Sequence, residues 1–222
     1  MPDLNAYAKL IAEVRAAGAE LVAVSKTKPD ADIRALYDAG HRDFGENYVQ
    51  ELVDKQARLP ADIRWHYVGS LQRNKVKYIV PFVHLIHGVD SMRLLGEIDK
   101  RARQVGRIVS VLLQVHVAEE ATKHGFGPDE LLALFEEPAI HGLAWVRPSG
   151  LMAMATNTRD EAQVRREFAR VRALYDEIGE RYYDRRPDWS TLSMGMSGDY
   201  ALALAEGGNL VRVGSLLFGA RA

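Results

Sequence analysis

The sequence predicts an α/β chain folded as one (β/α)8 TIM-type barrel with an extra N-terminal helix, on three observations. Short apolar segments rich in β-branched residues alternate with amphipathic helical stretches, the pattern of a parallel sheet covered on both faces. About eight such segments occur in 222 residues, the repeat number that closes a barrel. The turn after the first segment reads Ser25-Lys26-Thr27-Lys28-Pro29 and lacks the glycine fingerprint that an open dinucleotide-binding sheet carries there.

The elements follow in order. A leading helix over Leu4–Ala17 precedes the first strand. Strands are expected at Leu21–Ser25, His41–Gly45, Trp65–Gly69, His84–Val89, Val109–Val117, Ser149–Met154, Thr191–Met196 and Leu210–Gly214. Between them, Asp30–Ala39 reads as a helix opened by an Asp cap after Pro29. Tyr48–Arg58 carries charges at i, i+4 spacing, and Arg159–Tyr182 is long with apolar residues at helical spacing. Pro60 and Pro187 sit in ordinary loops, and no repeat or long linker divides residues 1–222, so a single domain is expected.

Composition narrows the function classes. Lysine plus arginine number 29 and aspartate plus glutamate 30, and no basic run interleaves with aromatics, so a nucleic-acid partner is not expected. Cysteine is absent, which excludes a disulfide framework and a thiolate zinc site. The N-terminus carries no signal-peptide pattern and no window approaches a membrane span. The expected protein is cytoplasmic, off the membrane, and specific for a small molecule.

A parallel barrel does its chemistry at the C-terminal ends of its strands. There the sequence places Lys26, Glu46-Asn47, Gly69-Ser70, Asp90-Ser91, Ser197 and Gly214-Ser215, residue types suited to a phosphorylated, carbonyl-bearing ligand. Lys26 shares strand parity with Val22 and Val24, so its side chain is expected at the mouth of the barrel interior. A desolvated amine there is a nucleophile toward an aldehyde. The competing reading is a strand-end lysine with its charge in water, and Lys28 is a rival amine held back by Pro29.

Phosphorylated ligands of barrels commonly bind between the loops after strands seven and eight. Gly195-Met196-Ser197-Gly198-Asp199, followed by a helix over Tyr200–Ala205, and Val213-Gly214-Ser215 fit those positions. Arg212, between Val211 and Val213, needs an interior partner. A ligand ring nitrogen would serve, and a barrel carboxylate such as Glu46 is the alternative. Two other constellations are weaker. The stretch at 195–199 misses the last glycine of a nucleophile elbow. His84 and His87, three apart on a strand, are expected on opposite faces as packing residues.

Three runs then carry a resemblance: Ala23-Val24-Ser25-Lys26-Thr27-Lys28-Pro29, Phe44-Gly45-Glu46-Asn47-Tyr48-Val49-Gln50-Glu51, and Trp65-His66-Tyr67-Val68-Gly69-Ser70-Leu71-Gln72-Arg73-Asn74-Lys75. With Gly150-Leu151-Met152, Leu192-Ser193-Met194-Gly195-Met196-Ser197, Val211-Arg212-Val213-Gly214 and Phe218-Gly219-Ala220-Arg221, the chain resembles the pyridoxal phosphate homeostasis protein family along its whole length.

The resemblance implies a pyridoxal 5′-phosphate (PLP) barrel of fold type III, similar to the alanine racemase N-terminal domain. It implies Lys26 as the Schiff-base lysine, Ser197, Gly214 and Ser215 on the phosphate, Arg212 at the ring nitrogen and Asn47 near the ring. It further implies a role in vitamin B6 homeostasis without established turnover, a monomer, and PLP-dependent apoenzymes as conceivable recipients. His116 and the segment 144–149 depart from the family pattern. Two alternatives stand beside this reading, a PLP-dependent amino-acid racemase and a phosphate-binding barrel without PLP. The racemase is disfavoured because two-base chemistry recruits its second group from a further domain, for which no sequence follows Ala222 unless His66, His116 or a tyrosine substitutes.

Overall fold

Strands buried on both faces must be apolar on both faces, and the eight apolar segments sort into two layers on that rule. The computed structural model describes residues 2–118, 124–184 and 187–219. Its strands are β1 (Glu20–Val24), β2 (Asp43–Glu46), β3 (Arg64–Tyr67), β4 (Leu85–Val89), β5 (Val109–Val115), β6 (Val146–Ala153), β7 (Thr191–Ser193) and β8 (Leu210–Val213). They pair in parallel and in chain order, and β8 returns to β1 with Val22 opposite Arg212, closing the barrel. Val22, Leu85, Leu112, Met152 and Leu210 point inward and form a small cluster of their own. Their strand neighbours Leu21, Ala23, Ile86, Leu113, Leu151 and Val211 point outward into the large core beneath the helices.

The helices are α1 (Leu4–Ala16), α2 (Asp30–Asp38), α3 (Val49–Arg58), α4 (Val76–Ile79), α5 (Met92–Gln104), α6 (Pro128–Glu136), α7 (Pro138–His141), α8 (Glu161–Tyr182), α9 (Tyr200–Ala205) and α10 (Ser215–Phe218). The expected leading helix is α1, capped by the Asp3 carboxylate, which accepts from the amides of Asn5 and Ala6. Among the described residues no helix is long and apolar enough to cross a membrane.

Several local expectations change. The cap of α2 is Pro29, with no side-chain bond, because Asp30 lies one residue inside the helix and gives its carboxylate to Arg58 at 2.8 and 3.1 Å. Strand β7 stops at Ser193 because Gly195 turns the chain at φ +82°, a conformation open to glycine. Strand β6 begins at Val146, earlier than expected, since a register shift between Val111 and Leu113 of β5 accommodates Pro148. The unusual segment 144–149 therefore enters β6. Ser91, expected at the ligand, instead caps α5 by accepting from the Leu94 amide.

Candidate functional site

At the C-terminal end of the strands lies a cavity of about 340 Å³. Lys26, Asn47, Ser197, Arg212, Gly214 and Ser215 all line it. The rival amine lines it as well, but Lys28 Nζ donates to the Phe218 carbonyl at 3.0 Å, next to α10. Gly69, Ser70 and Asp90 do not reach the cavity, and neither do His116 and the segment 144–149. Gly69 serves by being small, because a Cβ there would sit 2.4 Å from the Asn47 carbonyl oxygen. The Ala220-Arg221 end of the last sequence motif lies outside the described residues.

Lys26 stands two residues past the end of β1, in the interior parity of Val22 and Val24, and is half-buried. The residues flanking it are held from α3. Lys55 Nζ donates to the Ser25 carbonyl at 2.8 Å, to Glu46 Oε1 at 2.8 Å and to Glu51 Oε1 at 2.6 Å. Ser25 Oγ donates to the same Glu46 oxygen at 2.7 Å, and the Thr27 amide donates to Glu51 Oε1 at 2.6 Å. Thr27 has φ +63°, a strained conformation for a β-branched residue that persists only where surrounding bonds determine it. Glu46 and Lys55 are both buried. Burial pushes the Glu46 carboxyl up, opposed by the charge and hydrogen bond of Lys55. This clamp fixes the backbone on both sides of Lys26.

Asn47 projects into the cavity from the end of β2, and its Oδ1 is buried with no hydrogen-bond partner among the described residues. Its carbonyl accepts from the Tyr67 hydroxyl at 3.0 Å, so the backbone is anchored while the amide oxygen is left for a ligand. A buried orphan acceptor costs free energy and marks the place where a donor is due.

Across the cavity the material is different. The Gly214 amide donates to Ser197 Oγ at 3.3 Å, joining the loop after β7 to the loop after β8. Close approach requires Gly214 to be small, since a Cβ there would lie 3.1 Å from the Val24 carbonyl oxygen. Arg212 is buried on β8, and its carboxylate alternative fails because Glu46 is taken by Lys55. Its Nη1 donates to the Ser193 carbonyl at 2.9 Å and to Ser193 Oγ at 2.5 Å, and its Nη2 to the Ala153 carbonyl at 3.0 Å. Burial pulls its pKa down to about 10. The guanidinium is thus hydrogen-bonded by neutral groups and lines the cavity, with the charge of Asp199 opposing the effect of burial.

Below the cavity, the two histidines expected on opposite faces of a strand both meet His66. His84 precedes β4, outside its alternation, with its ring 5.2 Å from that of His66. His87 is inside the barrel, also with ring centroids 5.2 Å from His66. Sequence reading missed this line and the Lys55–Glu51 clamp. For the clamp a signal existed, the i, i+4 spacing of Glu51 and Lys55 on α3; for the histidines only the pairing of β3 with β4 brings the rings together.

The barrel falls in the alanine racemase N-terminal domain class, whose family model matches residues 3–222. The pyridoxal phosphate homeostasis protein of Aquifex aeolicus is 42% identical over 204 residues, covering 91% of this chain and 87% of that one. PipY of Synechococcus elongatus, solved without PLP, superposes with a TM-score of 0.88 at 38% identity, covering 97% of this chain and 99% of PipY. The structure of PipY with PLP bound gives 0.84 with the same identity and coverage. The chain belongs to the pyridoxal phosphate homeostasis protein family.

Proposed function

We propose that this chain works as a single barrel domain that binds PLP in the cavity and serves intracellular PLP homeostasis. The observation that carries the reading is the convergence, around one cavity, of an amine, an orphan amide oxygen, an arginine hydrogen-bonded to neutral acceptors and a pair of small-residue loops. The PLP-bound structure of the relative PipY supports it.

Each residue has a task in this reading. Lys26 would supply the amine that holds the cofactor aldehyde, and the clamp of Lys55 and Glu51 would present that amine. Ser197, Gly214 and Ser215 would take the phosphate with a hydroxyl and backbone amides. Arg212 would face the ring nitrogen and keep it unprotonated, and Asn47 would receive a donor beside the ring. PLP supplies electron withdrawal from a carbon next to the held nitrogen, and an arginine partner weakens that withdrawal.

We read the chain as a carrier rather than a racemase. Among the described residues that line the cavity, the titratable side chains are Lys26, Lys28 and Arg212. Two-base racemisation needs an acid/base group on the face opposite the lysine, and His66, the substitute considered from sequence, lies on β3 below the cavity in contact with Asp43 and His87. Its site of action is the cytoplasm, as a monomer, with PLP-dependent apoenzymes as recipients.

An absorbance titration tests this. Wild type with added PLP is expected to develop a band near the visible edge that Lys26→Ala does not develop. No spectral change in wild type would overturn the cofactor reading, and an unchanged band in Lys26→Ala would overturn the lysine.

A further inference from the structure

The barrel interior beneath the cavity carries a line of polar side chains that the cofactor reading leaves unused. Arg64 donates to both carboxylate oxygens of Asp43. Asp43 Oδ1 is 3.1 Å from His66 Nε2, and His66 Nδ1 is 3.0 Å from His87 Nε2. His87 Nδ1 is 3.2 Å from Ser193 Oγ, which also meets Arg212 Nη1 at 2.5 Å. The links come from β2, β3, β4, β7 and β8, and Asp43, His66, His87, Ser193 and Arg212 are all buried. A continuous path thus runs from the N-terminal face of the barrel to the arginine at the cavity.

Its two ends fix its direction. A guanidinium only donates and a carboxylate only accepts. Burial, with His66, Arg212 and His84 nearby, keeps the His87 pKa well below the ordinary imidazole value, so His87 carries one N–H. Ser193 Oγ accepts from Arg212 and has its own hydrogen for His87 Nδ1. The hydrogen of His87 is then on Nε2 and donates to His66 Nδ1, which places the hydrogen of His66 on Nε2, facing the Asp43 carboxylate. Running the bonds the other way through singly protonated imidazoles sets a bare His66 nitrogen against that carboxylate.

We propose that Asp43, His66, His87 and Ser193 are positioning residues for Arg212, a one-way hydrogen-bonded chain that fixes both imidazoles as the Nε2–H tautomer. The chain ties down the guanidinium without setting a carboxylate beside it. Of the five N–H bonds of an arginine, three have protein acceptors, which leaves Nε and one Nη2 hydrogen for the cavity. The tautomer pattern rests on the bond geometry together with the neutrality of fully buried His87, whereas the positioning role rests on the cofactor reading above.

The test has two arms. Nitrogen-15 NMR of the cofactor-free wild type with labelled histidine is expected to show Nε2 protonated and Nδ1 bare at both His66 and His87. An Nδ1–H pattern at either ring, or a doubly protonated His66, would overturn the chain. In PLP titrations, Ser193→Ala is expected to bind about fivefold more weakly, the loss of one hydrogen bond, and to shift the absorbance band of the bound cofactor. Ser193→Thr, which keeps the hydroxyl, restores both, while the melting temperatures of the cofactor-free variants report any purely structural damage. Equal affinity in Ser193→Ala and wild type, or failure of Ser193→Thr to rescue, overturns the positioning role even with the tautomers as drawn. If wild type binds no PLP, the cofactor reading and the positioning role fall together, and the NMR arm still decides the chain.

Discussion

The two walls of the cavity solve opposite problems with opposite materials. On the β1–β2 side, Lys26 must be held at one place on a strained turn, and a buried cation with two carboxylates does so: Lys55 joins Ser25, Glu46 and Glu51 at 2.6 to 2.8 Å. On the β7–β8 side, room for an anion is needed, and there Ser197, Gly198, Gly214 and Ser215 line the cavity with little but backbone and hydroxyls. The difference teaches that the wall presenting a reactive amine is built by a charged side-chain network anchored on α3, whereas the wall expected to receive a phosphate is built from small residues and backbone.

Breaking the charged wall should have the largest effect. Lys55→Met leaves buried Glu46 and half-buried Glu51 without their cation and is expected to cost about 3–5 kcal/mol. Chemical denaturation should read that loss, and the rate of PLP capture should fall with it because Ser25 and Thr27 lose their clamp. A loss below about 1 kcal/mol would mean that the clamp does not support this wall.

On the other wall, Gly195→Ala attacks the backbone directly. Its Cβ would lie 2.6 Å from Ala203 Cβ at a φ of +82°, so a loss of about 2 kcal/mol is expected in the same denaturation experiment. Acid should weaken the floor beneath both walls. Burial pushes the His41 pKa down to about 4 and holds His87 well below its ordinary value. Both imidazoles bind their protons more readily unfolded, so their contribution is full above about pH 6.5 and is lost as pH falls below it. The slope is up to about 1.4 kcal/mol per pH unit for each imidazole. Glu46, pushed up by burial, works in the opposite sense and tempers the slope. Stability measured from pH 8 to pH 4.5 checks the sign, and a rise toward acid would contradict it. Smallest is Ser197→Ala, which removes a hydroxyl at the periphery of the fold: stability should be nearly unchanged while PLP binds about tenfold more weakly.

The contrast between the walls also explains what could be read from sequence. Short-range rules reach the glycine–serine wall, since strand ends and loop composition place Ser197, Gly214 and Ser215 without knowledge of packing. They likewise place Lys26, through the two-residue alternation with Val22 and Val24. Alternation fails where an element ends early: His84 stands before β4, not in it, so its ring joins His66. The cap expected at Asp30 fails because a distant guanidinium, Arg58, competes for the carboxylate. Lys55 reaches partners 4 to 30 residues away and the path from Asp43 to Arg212 joins partners 19 to 106 residues apart, and of these only the i, i+4 pair is within reach of a sequence pattern.

The most direct test of the account is to reduce the wild-type protein with borohydride after addition of PLP and to locate the attached pyridoxyl group by peptide mass spectrometry. The account predicts the group on Lys26. Attachment to Lys28, the other amine at the cavity, or to no residue of the chain, would contradict it.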